Sequence, residues 1–199
     1  MILQDLSNSS GACVPTPSQT VGPFFSIGMC QQKLSNLVPA DLSAGAEVVT
    51  VRGRVLDGDG KGIPDAILEI WCANAIGKRA GAENDCDSSG VPNGFARIPT
   101  NERGEFELRT FRPGATAGNA DEIHAPHLAV LIFMRGLLRH LVTRIYFPQE
   151  PANERDPVLK AVPAERRNTL IAKQPSAKQT ELQWDIYLQG DSETVFFEA

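Results

Sequence analysis

Hydrophobic and polar residues alternate along much of the chain beyond residue 46. In the segment VTVRGRVLD (49–57), valines alternate with threonine and arginines, a period of two that is typical of a strand with one buried face. The segments EFELRTF (105–111) and LQWDIYLQG (182–190) alternate in the same way. The run HLAVLIFMR (127–135) is almost continuously apolar, which predicts a strand buried on both faces. Further strands are predicted at 66–72, 94–98, 139–147 and 193–198.

Turns rich in glycine, proline and aspartate separate these segments. The turn DGDGKGIPD (57–65) predicts a β-hairpin between the first two strands. The turn PTNERGE (99–105) predicts a second strand pair, between the strands at 94–98 and 105–111. The best helix candidate is AERRNTLIAK (164–173). Many short strands separated by turn signals predict an all-β fold, a β-sandwich with little helix. Residues 1–46 lack sustained periodicity and are predicted to form an irregular N-terminal arm ahead of a sandwich domain at 47–199.

Length and charge narrow the possible functions. A chain of 199 residues is long enough for one domain with a sizeable core. The net charge of −5, without a block of basic residues, argues against nucleic acid or an anionic membrane as the main partner. The longest apolar run, 128–134, is too short to span a bilayer, and the first ten residues do not read as a signal peptide. Four cysteines without CxxC spacing favour free thiols and a cytoplasmic protein.

Two histidines precede the long apolar run, in the segment DEIHAPH. His124 and His127, together with Asp121 and Glu122, offer mixed nitrogen and oxygen ligands for Zn or Fe. A His-x-His pair on a strand would direct two imidazoles to one metal, but the second position here is Ala129. Because the spacing matches no fixed ligand pattern, histidines bonded to backbone or water are the favoured interpretation. The residues on their own therefore indicate a fold and no convincing active centre.

Five segments together carry a specific resemblance to a known family. They are TPSQTVGPFF (16–25), GRVLDGDGKGIPDAILEIWCANAIG (53–77), APHLAVLIFMRGLLRHLVTRIYF (125–147), RRNTLIAK (166–173) and GDSETVFFEA (190–199). The chain resembles the intradiol ring-cleaving dioxygenases, from about Thr16 to the C-terminus. The segments FMRG and ETVFF favour the α rather than the β chain of members built from two homologous chains. The resemblance implies a β-sandwich that pairs with a β chain in a larger hetero-oligomer.

The resemblance also implies a metal site that this chain has lost. The family's catalytic chain holds non-haem Fe(III) with two tyrosines and two histidines, and cleaves a catechol ring with O2. Aligned with that pattern, Arg79 and Thr116 stand at the tyrosine positions, and only His127 remains of the histidine pair because Ala129 replaces the second. His124 stands where catalytic chains carry an arginine. One imidazole cannot hold Fe(III) without the anionic tyrosinates. The resemblance thus implies a vestigial site, no catalytic residues in this chain, and Fe(III) bound by the partner β chain.

A substrate-binding role is implied for the N-terminal arm. In the family, this motif of the α chain lies at the mouth of the partner's iron site, which assigns Thr20, Gly22 and Pro23 to the substrate pocket. Arg135 resembles an α-chain arginine that approaches the same pocket, where a guanidinium suits the carboxylate of a small aromatic acid. From the residues alone, an ordinary turn at 20–23 and a surface ion pair at Arg135 remain alternatives.

Two other functions compete with that of a non-catalytic α subunit. One is a self-sufficient intradiol dioxygenase acting on another catechol, against which the missing tyrosine ligands weigh heavily. The other is a non-enzymatic β-sandwich binding module with no tie to iron, against which the N-terminal and C-terminal motifs weigh.

Overall fold

The structure is a computed structural model that describes residues 17–30, 34–39, 42, 47–79, 93–119, 121–175 and 180–198. Within these ranges the strands are β1 Val48–Leu56, β2 Ile67–Cys72, β3 Phe95–Pro99, β4 Glu105–Phe111, β5 Thr116–Ala117, β6 Ile123–His124, β7 His127–Phe133, β8 Leu141–Tyr146, β9 Glu181–Gln183 and β10 Ile186–Tyr187. The helical elements are α1 Phe25–Met29, α2 Pro157–Ala161, and 3-10 helices at Pro151–Glu154 and Ala164–Thr169. The chain is therefore mainly β, as the alternation predicts.

Two four-stranded sheets form the body of the molecule. In the first, β1 pairs antiparallel with β4 on one side and parallel with β9 and β10 on the other. The second sheet has the order β3-β2-β7-β8 and is antiparallel throughout. A small ribbon of β5 and β6 lies apart from both. This is the predicted β-sandwich.

The core lies between the two sheets. It is built from the inward positions of both, where buried residues alternate with exposed or half-buried ones along β1, β4 and β7. Val51 of the first sheet and Leu68, Val130 and Ile132 of the second are fully buried. The strand β7 is buried on one face and only half-buried on the other, so the prediction of burial on both faces is wrong. Its outward face carries Ala129, Leu131 and Phe133.

Neither predicted strand pair forms, because each connection crosses from one sheet to the other. After β1 the chain starts a hairpin, in which the Ile63 N–H donates to Val55 O at 2.8 Å. Pro64 then follows, which has no N–H to continue the ladder, and Asp65 adopts a φ of 59°. The chain is thereby turned into the opposite sheet, where β2 pairs with β3 and β7. In the same way β3 and β4 belong to different sheets.

Three other predicted elements differ in part. The helix predicted at 164–173 is a 3-10 helix that ends at Thr169, because the next residues pair with strands, and Tyr146 N–H donates to Leu170 O at 2.8 Å. The strand predicted at 182–190 is split into β9 and β10 where Asp185 Oδ1 accepts from Arg54 N–H. The strand predicted at 193–198 does not form a ladder; it has one isolated bridge, between Phe197 and Val142.

The described part of the N-terminal arm is largely irregular. It contains the one-turn helix α1 and two single bridges, from Leu34 to Arg97 and from Asn36 to Arg109. These bridges attach the arm to one strand of each sheet. No helix among the described residues is long and apolar enough to cross a membrane.

Candidate functional site

The aligned metal-ligand positions come together beside the start of β7. Thr116 and His124 face each other in the ribbon of β5 and β6. The guanidinium of Arg79 joins them from the loop after β2, donating from Nη2 to Ala117 O at 3.1 Å and to Thr116 Oγ1 at 3.4 Å. The ring of His127 lies 6.0 Å from that of His124. We call this group, with the residues Arg144, Tyr146 and Asp156 described next, the polar cluster.

His127 is a neutral imidazole with one nitrogen already used. Its Nδ1 lies 2.7 Å from Ala125 O, a geometry in which Nδ1–H donates to the carbonyl. Burial lowers the pKa of His127 to about 4, the nearby Arg144 also lowers it, and the bond to Ala125 only partly opposes this. At neutral pH the imidazole is therefore uncharged. Its ring packs 5.7 Å from that of Tyr146 on the neighbouring strand.

A guanidinium lies among these groups. Arg144 is the cross-strand partner of Ala129, the position at which a second histidine would stand. Its Nη1 lies 3.3 Å from the hydroxyl oxygen of Tyr146 and 3.5 Å from Nδ1 of His124. Because Ala129 is small, the long side chain of Arg144 can extend past it toward the two histidines. The cluster thus contains a cation supplied by the protein itself.

A buried aspartate anchors the cluster. Asp156 is fully buried and caps helix α2, its Oδ1 accepting from the Val158 and Leu159 N–H groups at 2.9 Å each. Its Oδ2 accepts from Ala125 N–H at 2.8 Å, and the Tyr146 hydroxyl donates to Oδ1 at 3.0 Å. Burial by itself raises the pKa of Asp156, but these hydrogen bonds outweigh it and hold the pKa below its ordinary value. Burial raises the pKa of Tyr146, so its hydroxyl stays protonated.

The candidate substrate-binding residues lie at the other end of β7. Gly136 N–H donates to Thr20 Oγ1 at 2.9 Å, which brings the arm beside the loop that carries Arg135. Arg135 Nε is paired with Asp65 Oδ2 at 2.7 Å. These two side chains and Ser26, from helix α1, line one open groove. β7 rises about 3.3 Å per residue, so this groove and the polar cluster are roughly 20 Å apart.

Gly22 and Pro23 are both exposed on the arm. Gly22 O accepts from Phe25 N–H at 3.2 Å in the turn that leads into α1. A side chain added at Gly22 would meet no atom of the described residues within 4 Å. The described residues of the chain therefore give no internal reason for a glycine at that position.

Comparison with known proteins identifies the family. A family model described as Dioxygenase (Dioxygenase_C) matches residues 20–190. The protocatechuate 3,4-dioxygenase alpha chain of Burkholderia cepacia is 42% identical over 196 residues, which cover 92% of this chain and 97% of that one. The chain belongs to the intradiol dioxygenase family. The resemblance predicted from the five sequence segments is confirmed.

Two further similar proteins bear on fold and pairing. The protocatechuate 3,4-dioxygenase beta chain of Burkholderia cepacia is 33% identical over 158 residues, covering 74% of this chain and 67% of that one. A solved dioxygenase domain from Streptomyces sp. SirexAA-E, part of a fusion with a carbohydrate-binding protein, is 25% identical with a TM-score of 0.57. That match covers 92% of this chain and all of that domain. The β-sandwich predicted from sequence is thus shared with a solved dioxygenase.

Fe(III), the metal of intradiol dioxygenases, does not fit the polar cluster. Arg79 and Ala129 offer it no donor atom, and the neutral Tyr146 hydroxyl is bonded to Asp156. The guanidinium of Arg144 would lie against a trivalent cation, which is electrostatically unfavourable. Among the described residues, no group of three or more His, Cys, Asp or Glu is arranged to hold a metal ion. Asp121 and Glu122 are exposed beside the cluster.

Sequence reasoning missed four residues of these two sites: Asp65, Arg144, Tyr146 and Asp156. Asp156 had a visible signal, since an aspartate directly before Pro157 is typical of a helix N-cap. Asp65 follows a proline in a turn, where a positive φ is common. Arg144 and Tyr146 had no such signal, because only the strand register places them next to the histidines.

Proposed function

We propose that this chain is the non-catalytic α subunit of a protocatechuate 3,4-dioxygenase. Its homologous β partner holds Fe(III) and cleaves 3,4-dihydroxybenzoate with O2 to 3-carboxy-cis,cis-muconate, and this chain completes the substrate pocket. In support, a relative named as the alpha chain of that enzyme is 42% identical over nearly its whole length. A relative named as its beta chain is more distant, at 33% identity over two thirds of its length.

One observation carries the non-catalytic assignment. The four positions aligned with the family's iron ligands are neighbours in the fold, yet they hold Arg79, Thr116, His127 and Ala129. Their proximity supports the alignment, and their chemistry supports the loss of the metal. A buried carboxylate and a guanidinium stabilise this region instead. We propose that the polar cluster is a vestigial metal site with a structural role.

The pocket role is assigned to the opposite end of β7. Thr20, Gly22, Pro23 and Arg135 are proposed to face the substrate of the partner chain. Arg135 suits this role because its side chain is 55% exposed and, within the described part of the chain, only its Nε is paired. The remaining N–H groups of the guanidinium are free to bind a carboxylate.

Exposed apolar side chains lie close in sequence to two residues that line that groove, Ser26 and Arg135. Phe24 and Ile27 of the arm are 75% and 69% exposed, and Leu138, just beyond Arg135, is 66% exposed. Large apolar side chains that are exposed in the single chain favour a surface that is covered in the assembled protein. We propose that the β chain covers it in a hetero-oligomer. Residues 1–46 then form an arm and 47–199 the sandwich domain of a cytoplasmic protein.

Iron content tests the proposed function. The chain would be purified alone and after co-expression with a β chain, and each sample assayed for iron, for the tyrosinate-to-iron colour and for oxidation of protocatechuate. We expect all three in the complex and none in the isolated chain. One tightly held iron per isolated chain, with cleavage of any catechol, would instead support a self-sufficient dioxygenase. Failure to bind any β chain would support a binding module.

A further inference from the structure

The turn between β1 and β2 presents a carboxylate to Arg135. Asp65 Oδ2 lies 2.7 Å from Arg135 Nε in an ion pair between residues 70 apart in the sequence. The backbone of Asp65 has a φ of 59°, in the left-handed region that glycine and asparagine adopt more readily. Aspartate is among the few other residues that adopt this conformation, so the turn tolerates it. Unlike glycine, it also supplies a carboxylate that can pair with Arg135.

The backbone that carries Asp65 is held from both sides by a buried threonine. Thr100 is 7% exposed, and its hydroxyl donates to Ile63 O at 2.8 Å while accepting from Ala66 N–H at 3.0 Å. The hydroxyl therefore fills the space between the two ends of the Pro64–Asp65 turn. Ala66 itself is fully buried. Of the two partners in the ion pair, the aspartate is thus the more buried one, with a side chain 26% exposed against 55% for the arginine, and its backbone is the one held by Thr100.

We propose that Asp65 is a positioning residue for Arg135, and that it thereby sets the preference for a substrate that carries a carboxylate. This proposal rests on the proposed function, in which Arg135 meets the substrate. Asp65 holds the Nε edge of the guanidinium and leaves the terminal nitrogens free. A bidentate bond to a carboxylate requires those nitrogens in one orientation. Without Asp65 a long, exposed side chain would lose rotational freedom each time substrate binds.

The proposal differs from a merely structural ion pair in what it predicts. A surface pair of this kind contributes little to stability. If that were its only role, its removal would leave substrate preference unchanged. If Asp65 competed with substrate for the guanidinium, its removal would lower the KM for protocatechuate. Positioning predicts the opposite sign.

The test uses Asp65→Asn in the assembled αβ enzyme, because asparagine tolerates the positive φ and removes only the charge. We expect the KM for protocatechuate to rise about 2- to 10-fold, with kcat and the weak turnover of catechol unchanged. Asp65→Gly suits the positive φ and removes the whole side chain. It should raise the KM for protocatechuate at least as much as Asp65→Asn does. A matched control is Glu107→Gln, since Arg52 Nε meets Glu107 Oε2 at the same 2.7 Å with a similar exposure of the arginine. The Glu107→Gln variant should change neither the KM for protocatechuate nor the KM for catechol.

A double-mutant cycle separates this proposal from the proposed function. In an Arg135→Ala background, Asp65→Asn should cause no further rise in KM, because the group that it positions is gone. If Arg135→Ala raises the KM and neither Asp65 variant does, the positioning role is wrong and the pocket role stands. If Arg135→Ala itself leaves the KM unchanged, the pocket role fails. A fall in the KM for protocatechuate in the Asp65 variants would also overturn the positioning role. So would an equal change in the KM for protocatechuate and the KM for catechol.

Discussion

The Gly136 N–H donates to Thr20 Oγ1 at 2.9 Å, a hydrogen bond between residues 116 apart in the sequence. It joins the N-terminal arm to the loop that follows β7. Gly136 has a φ of 92°, a conformation that side chains other than glycine's rarely adopt, so the direction of its N–H depends on the glycine. The bond fixes the arm beside Arg135, and the two proposed elements of the substrate pocket therefore depend on each other.

Replacing Thr20 by valine should loosen this attachment. Valine keeps the shape of threonine and removes the acceptor, leaving the Gly136 N–H to water. A neutral hydrogen bond contributes about 0.5–1.5 kcal/mol, so we expect kcat/KM for protocatechuate in the αβ enzyme to fall about 2- to 10-fold. The arm should also be cleaved faster in limited proteolysis. Thr20→Ser, which keeps the hydroxyl, is the control and should behave like the native protein; equal loss in both variants would contradict the role of the hydrogen bond.

The sequence pattern predicted which residues face the core but not which strands are neighbours. The valines of β1 and the alternate residues of β4 are buried as their period of two requires. That period reports the buried face of a strand and carries no information about its partner. The turn after β1 therefore looked like a hairpin, although Pro64 and Asp65 divert the chain into the other sheet.

The candidate sites were predictable to a similar extent. Alignment with the family named Arg79, Thr116, His127 and Ala129, and the fold brings them together. The contact of Arg144 with this group was not predictable, because it depends on the register between β7 and β8. Register is set by long-range packing, whereas the sequence pattern of β8 marks only an alternating strand.

Asp156 should be the most sensitive residue of the polar cluster. Asp156→Asn keeps the size of the side chain but presents an amide where a carboxylate now accepts four hydrogen bonds. We expect a loss of about 2–3 kcal/mol in the free energy of unfolding, measured by thermal unfolding of the assembled protein. Asp59→Asn, in the exposed turn after β1, should change stability by less than about 0.5 kcal/mol. Equal effects of the two variants would show that the buried carboxylate is not a stabilising anchor.

Stability should fall on acidification in two steps. His127 has a pKa of about 4 in the folded protein against 6.5 when unfolded, so the unfolded chain binds a proton first as the pH falls. The resulting loss begins near pH 6.5, is complete near pH 4, and amounts to at most about 3 kcal/mol. Asp156, whose folded pKa is lowered, stabilises the fold above its unfolded pKa of about 4 and loses that contribution below it.

Replacing His127 should remove the first of these steps. In His127→Gln, the decline between pH 6.5 and pH 4 should be largely abolished, while His140→Gln, an exposed histidine, should retain it. The double variant His124→Gln and His127→Gln should keep the activity of the αβ complex within a few-fold, because in the proposed function the catalytic metal is bound by the β chain. Complete loss of activity in a folded double variant would show that these histidines take part in the reaction.

The sharpest prediction concerns Arg135. Protocatechuate carries a carboxylate that catechol lacks, and the partner's iron would bind the two hydroxyls of either compound. The net charge of −5 repels an anionic substrate, so a local positive group is needed. A charge-assisted bond contributes roughly 1.5–3 kcal/mol, and Arg135→Ala should therefore raise the KM for protocatechuate about 10- to 150-fold. Iron content and catechol turnover should barely change. Arg139→Ala, an exposed arginine four residues away, is the matched control. If both substrates respond equally to Arg135→Ala, or neither responds, Arg135 is only the partner of Asp65 in a surface ion pair.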